Sequence, residues 1–311
     1  MRKAFFNALI ELSHHDERIM LLTADLGYMA LEPFYETFPK RFINVGVSEQ
    51  NMVGLATGLA DAGFIPFVYS IAPFAVLRPY EFIRNGPIYH QLPVRIIGIG
   101  GGLEYSYDGI SHYGIDDVGA LRIQPGIAII TPADYEQARA ALNITWNLPG
   151  PVYYRLSKDD KSVVKEINGH FELGRAQVIY EGQDVLIITM GSIAHEAVKA
   201  SDILKQQGIF STIMIISCIS PPPLLDILDT ISQFKIAVTV EASYLIGGLR
   251  SLISEIIVQH GLNCQMINCG IRKTPNGLCG SQNYIYDING LTGEKIAEAV
   301  KRKSTNNWEE K

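Results

Sequence analysis

The chain has little cysteine and no long apolar run. Its four cysteines are Cys218, Cys264, Cys269 and Cys279, and no two of them stand in a C-x-x-C spacing. That argues against a disulfide scaffold or a zinc ribbon and predicts free thiols in a reducing compartment, hence a cytoplasmic protein. No run approaches the roughly 18 apolar residues that a membrane-spanning helix needs. The apolar start, Met1 to Ile10, is broken by Glu11 and then by Ser13-His14-His15-Asp16-Glu17-Arg18. It therefore reads as an amphipathic helix and not as a signal peptide. Excess positive charge is also lacking. The net charge of -6 gives no footprint for nucleic acid. Neither a membrane nor a nucleic-acid partner is expected.

What is present fits a globular α/β chain. It has 311 residues, 47% of them hydrophobic and 19% charged, which suits two domains. Short apolar runs alternate with helical stretches. Residues 19–23, 65–69, 94–99, 127–130 and 152–156 read as strands. Polar residues then interrupt the pattern, and the boundary is placed near residues 158–172. A second series follows at 185–189, 211–216, 236–240 and 264–268. Continuous β-branched runs separated by helices predict a mostly parallel sheet covered on both faces. The expected fold is α/β in two domains, residues 1–165 and 172–305, each a mostly parallel sheet flanked by helices.

The most informative stretch is Gly46-Val47-Ser48-Glu49-Gln50-Asn51-Met52. A strand-like run, Phe42 to Val45, leads into it, and a small-residue helix follows from Val53. Glu49 thus sits near a helix start among apolar and small residues. A carboxyl group taken out of water tends to keep its proton, and can then donate a hydrogen bond to a heterocycle's ring nitrogen. The alternative reading is a helix cap or dipole partner. Asp25 ends a strand, where an Asx turn is the alternative. At Gly191-Ser192, Ser192 is expected to cap the helix that follows. The helix after Glu49 carries Gly54-x-x-x-Gly58 with Ala56 and Ala60, a smooth side for close packing.

Residues 46–60 resemble the pyrimidine-domain signature of transketolases, and the resemblance extends over essentially the whole chain. It implies a thiamine-diphosphate pyrimidine-binding fold followed by a transketolase C-terminal domain. It further implies transfer of a two-carbon ketol unit between sugars. The acid at Glu49 would bond N1′ of the cofactor's aminopyrimidine and favour its imino tautomer. Asp108-Gly109-Ile110-Ser111-His112 resembles the family's Asp-Gly-Pro-Ser/Thr-His loop, whose histidine moves protons at the substrate, a role that suits imidazole. Phe74 falls on the aromatic that stacks on the pyrimidine, while Ile71 and Leu77 replace further pocket aromatics. Asp25 matches a residue near the cofactor and substrate channel. Three positions touching a substrate phosphate become Met29, Gly100 and Lys158, which argues against an ordinary pentose phosphate; Arg78, Arg84 and Arg155 are the cations that could compensate. The helix with the two glycines would lie at a subunit interface.

No Gly-Asp-Gly occurs in the chain. In the family that motif helps hold Mg²⁺ on the cofactor's diphosphate, and such a site needs hard oxygen ligands. The resemblance therefore implies no metal ligand here and an N-terminal, diphosphate-binding partner subunit that holds Mg²⁺. Two copies of each chain would form a heterotetramer. The alternatives are the β subunit of a 2-oxo-acid dehydrogenase decarboxylating component, a deoxyxylulose-phosphate synthase-like enzyme, or a non-catalytic assembly protein on the same fold.

Overall fold

Runs of Ile, Val and Leu form strands that are buried on both faces, as parallel strands between helical layers must be. The computed structural model describes residues 1–275 and 277–308, with side chains through residue 303. Twelve strands lie among these residues: β1 (Ile19–Thr23), β2 (Phe42–Asn44), β3 (Ile65–Ile71), β4 (Arg95–Ile99), β5 (Ala128–Ile130), β6 (Val152–Leu156), β7 (Gln177–Ile179), β8 (Val185–Thr189), β9 (Ser211–Ile215), β10 (Cys218–Ser220), β11 (Ile236–Tyr244) and β12 (Gln265–Ile271). All five residues of β1, β4, β6, β8 and β9 are buried.

The first sheet has the order β10-β5-β6-β4-β3-β1-β2. Its members are parallel except β10, which runs antiparallel to β5 with Cys218 opposite Ile130. The second sheet has the order β12-β11-β8-β9-β7, parallel except for β7 against β9. The mostly parallel α/β layout is as expected. Two strands were not expected: β7 and β10, each three residues long and each antiparallel at an edge. β10 also belongs in sequence to the second half yet completes the first sheet, so the halves are stitched together by main-chain hydrogen bonds.

Side chains reinforce that seam. Arg155, at the end of β6, is 6% exposed. Its guanidinium donates to Asp117 Oδ2 at 2.9 Å, to the Gly114 carbonyl at 2.6 Å and to the Ala242 carbonyl at 3.1 Å. Tyr113 donates its hydroxyl to the Leu278 carbonyl. A buried cation is tolerated only when partnered in this way. Arg155 is thus committed to the seam and is not a spare cation for a phosphate, contrary to the sequence reading.

The topology gathers the candidate residues. Asp25 follows β1, Glu49 follows β2, Ile71, Phe74 and Leu77 end or follow β3, Gly100 and His112 follow β4, and Lys158 follows β6. These strands are parallel, so all of these residues lie along the carboxyl edge of one sheet. Ligand sites of open α/β sheets form at that edge.

Candidate active site

Glu49 opens the helix Glu49–Asp61, after a turn in which Gly46 takes φ 74°. Met52, Val53, Ala56 and Ala60 face the sheet and fix this helix. Gly54 and Gly58 do not pack on the core: Gly58 has open space around its Cα, and a side chain at Gly54 would meet Phe82 of the neighbouring helical turn. The glycine face is therefore turned outward. Glu49 itself is 3% exposed. Its carboxylate turns to the end of β3, where Oε1 accepts from Arg78 Nη1 at 2.7 Å and from Ser70 Oγ at 3.3 Å.

Arg78 stands four residues after Phe74, a helical spacing that stacks the two side chains. Its guanidinium carbon lies 3.8 Å from the Phe74 ring centroid. Phe74 meets the His112 imidazole edge-on, centroids 5.0 Å apart. Ser111 Oγ lies 2.9 Å from His112 Nδ1 and can settle which ring nitrogen carries the proton. Tyr105 comes next, 5.9 Å from His112, and Lys158 Nζ stands 4.0 Å over the Tyr105 ring. The site is thus one row: Ser70, Glu49, Arg78, Phe74, His112, Tyr105, Lys158. It brings Glu49, Phe74, His112 and Lys158 together.

The Lys158 end of the row is anchored by Glu104. Its carboxylate accepts the Lys158 N–H at 2.6 Å and the Ser192 hydroxyl at 2.9 Å. Burial pushes the Glu104 carboxyl above its ordinary range and the Tyr105 phenol above its own. Ser192 therefore bonds Glu104 instead of capping the helix after it, which corrects the sequence reading. Glu104, Lys158, Ser192 and His195 share the wall of a cavity of about 630 Å³.

Gly100 takes φ 73°, and a Cβ there would lie 2.2 Å from Tyr105 Cε2. The sequence reading treated Gly100 only as a lost phosphate contact. In the fold it is the floor on which Tyr105 rests. Asp25 takes φ 55° and exchanges two hydrogen bonds with Asn44, at 3.0 and 3.1 Å; Asn44 also accepts from the Gly46 N–H. Asp25 thus braces the turn that leads to Glu49 and faces a separate cavity of about 250 Å³. Met29 is 80% exposed, with its N–H on Glu32. Among the described residues, no hydrogen bond or ring contact joins Asp25 or Met29 to the row. Ile71, the last residue of β3, is partly buried and packs against the core of the first sheet, and Leu77 is 41% exposed.

Three members of the row were not foreseen in their roles: Ser70, Tyr105 and Arg78, the last noted only as a spare cation. The i, i+4 spacing of Phe74 and Arg78 was the available signal for Arg78. Among the described residues, no group of three His, Cys, Asp or Glu side chains is arranged to hold a metal ion. No helix among them is long and apolar enough to cross a membrane.

Comparison with known proteins identifies the two domains. Residues 1–162 match the transketolase pyrimidine binding domain, and residues 174–296 match the transketolase C-terminal domain. A Methanocaldococcus jannaschii protein, provisionally named a transketolase C-terminal section, is 36% identical over 303 residues, 96% of this chain and 95% of that protein. A 6-deoxy-6-sulfo-D-fructose transketolase subunit from Clostridium sp. (strain MSTE9) is 33% identical over 303 residues, 96% and 93% of the two chains. Among solved structures, a split gene transketolase described as an inactive beta4 tetramer superposes with a TM-score of 0.88 at 31% identity, covering 97% of each chain.

Proposed function

The chain belongs to the transketolase family, and on that footing we propose that it is the pyrimidine-side subunit of a split, thiamine-diphosphate-dependent transketolase. The observation that carries this reading is the seat formed by Glu49 and Phe74. A flat, N–H-bearing group, the Arg78 guanidinium, already lies on the Phe74 face and donates to the Glu49 carboxylate. A planar aminopyrimidine asks for the same two contacts, a ring face and a carboxyl oxygen. The residues present therefore fit that half of the cofactor.

Thiamine diphosphate, when bound, supplies the carbon nucleophile that carries the two-carbon fragment. Glu49 would fix the pyrimidine and its tautomer, and Phe74 would hold its face. His112, with its tautomer set by Ser111, would move a proton at the substrate's oxygen. Lys158, at the far end of the row, would meet an anionic substrate group as a point charge. Met29 and Gly100 offer such a group no charge. The similar Clostridium subunit, named for a sulfo sugar, supports a substrate other than a standard pentose phosphate.

The diphosphate and Mg²⁺ are assigned to an N-terminal partner subunit, because the chain carries no Gly-Asp-Gly. The outward glycine face of the helix Glu49–Asp61 is proposed for the subunit interface, in a heterotetramer acting on sugars in the cytoplasm. The similar beta4 tetramer, described as inactive, supports a need for the partner. Calorimetry with thiamine diphosphate and Mg²⁺ tests the reading. Binding should be feeble with this chain alone and appear with the partner. Tight Mg²⁺-dependent binding by this chain alone would contradict it.

A further inference from the structure

Arg78 occupies the place that the proposed reading gives to the cofactor's pyrimidine. Its guanidinium is planar, lies 3.8 Å from the Phe74 centroid and donates to Glu49 at 2.7 Å. Two flat groups cannot share one face of Phe74 and the same carboxylate oxygen. A guanidinium can only donate, so Oε1, the oxygen it meets, must accept, and that oxygen cannot give a proton to a ring nitrogen while Arg78 holds it. We propose that Arg78 is a seat-holder: it fills the pyrimidine seat and must swing out when the ring enters, so that cofactor binding is coupled to its release.

The surroundings suit such a movement. Arg78 is 43% exposed, whereas Glu49 is 3% exposed, so the arginine can withdraw into solvent and the carboxylate cannot. The short helix Ala72–Val76 ends just before Arg78 and is anchored by buried Ala72, Pro73, Ala75 and Val76. The backbone can therefore stay fixed while the side chain turns. A seated arginine keeps an apolar ring and a buried carboxylate partnered until a ligand takes over both contacts. Its cost is a weaker apparent affinity, by the fraction of molecules in which the seat is open.

The inference rests on the pyrimidine-seat reading, and the test separates the two. The probe is 4-amino-2,5-dimethylpyrimidine, the ring half of the cofactor, titrated into the ¹⁵N-labelled full chain assembled with its N-terminal partner subunit and followed by NMR. The Arg78 side-chain N–H signal, identified by its loss in Arg78→Ala, should leave its ring-shielded position along the same curve that reports probe binding. Arg78→Ala should bind the probe about 5-fold more tightly or better. Arg78→Gln keeps the length without the charge and should fall between it and wild type. Equal or weaker binding by Arg78→Ala, or an Arg78 signal unmoved at saturation, would overturn the seat-holder and leave the functional reading standing. Failure of both proteins to bind the probe would overturn the pyrimidine-seat reading, and this inference with it.

Discussion

Glu49 and Glu241 are buried carboxylates beside a helix start, one in each half of the molecule, and their partners differ in kind. Glu241 lies within β11 and is fully buried. It accepts from the Ser243 hydroxyl at 2.6 Å and from the Leu249 and Arg250 main-chain N–H groups at 2.8 Å each. It thereby caps the helix Leu249–Gln259 from the neighbouring strand. Every donor is fixed by main chain or by a two-residue link. Glu49 has one long bond from Ser70 and one short bond from Arg78, a half-exposed side chain with many rotamers. Fixed donors make a structural carboxylate. A donor that can leave makes one whose contacts a ligand can inherit.

Substituting the two acids sharpens this contrast most. Glu49→Gln should abolish turnover in the assembled enzyme, by several orders of magnitude, because the amide cannot play the acid's part. Its unfolding free energy should change by only ~1 kcal/mol or less, since Arg78 is half-exposed and an amide oxygen still accepts from it. Denaturant melts read the second number beside the assay. A Glu49→Gln chain that is badly destabilised would erase the distinction between the two sites.

Glu241→Gln should do the reverse. It sets an amide N–H₂ against a main-chain N–H and should cost roughly 1–3 kcal/mol near pH 5. The penalty should shrink as pH rises. Burial pushes the Glu241 carboxyl up from its ordinary value of 4.5, so the folded chain holds this proton more tightly than the unfolded one. The stability this contributes is complete below the unfolded value and is lost as pH rises through the folded one. Wild type has this loss and Glu241→Gln lacks it. Thermal melts of both between pH 4.5 and neutrality give the comparison, and a gap that widens with pH would be the wrong sign.

A cost of similar size is expected at Gly100→Ala. The added methyl would sit 2.2 Å from Tyr105 in a left-handed backbone position. It should cost roughly 1–3 kcal/mol by melts and shift the His112 ring signals in NMR as Tyr105 moves. An unchanged His112 environment would show that Tyr105 does not position the row.

The parallel strands were legible because a strand buried on both faces writes itself as a continuous β-branched run, as at 185–189. β7 and β10 were not, because an edge strand of three residues needs no such run. Glu49 and His112 were legible through their short motifs, Ser48-Glu49-Gln50 and Asp108-Gly109-Ile110-Ser111-His112. Tyr105 over Gly100 was not, since that contact depends on how a loop folds back. Glu241 carries a signal of its own: an acid directly after the apolar run Ile236–Val240 has to be partnered if the strand continues through it. Arg155 misled for the complementary reason, because a cation's sequence gives its charge but not the carbonyls that already hold it.

The central claim is that Glu49, in a seat shared with Phe74, activates a cofactor whose other half is held by a partner chain. Exchange of the thiazolium C2 proton with deuterium, followed by NMR in the assembled complex, measures that activation without any sugar substrate. Wild type should exchange rapidly, and Glu49→Gln should be slower by orders of magnitude with the cofactor still bound. Wild-type exchange in Glu49→Gln would contradict the account.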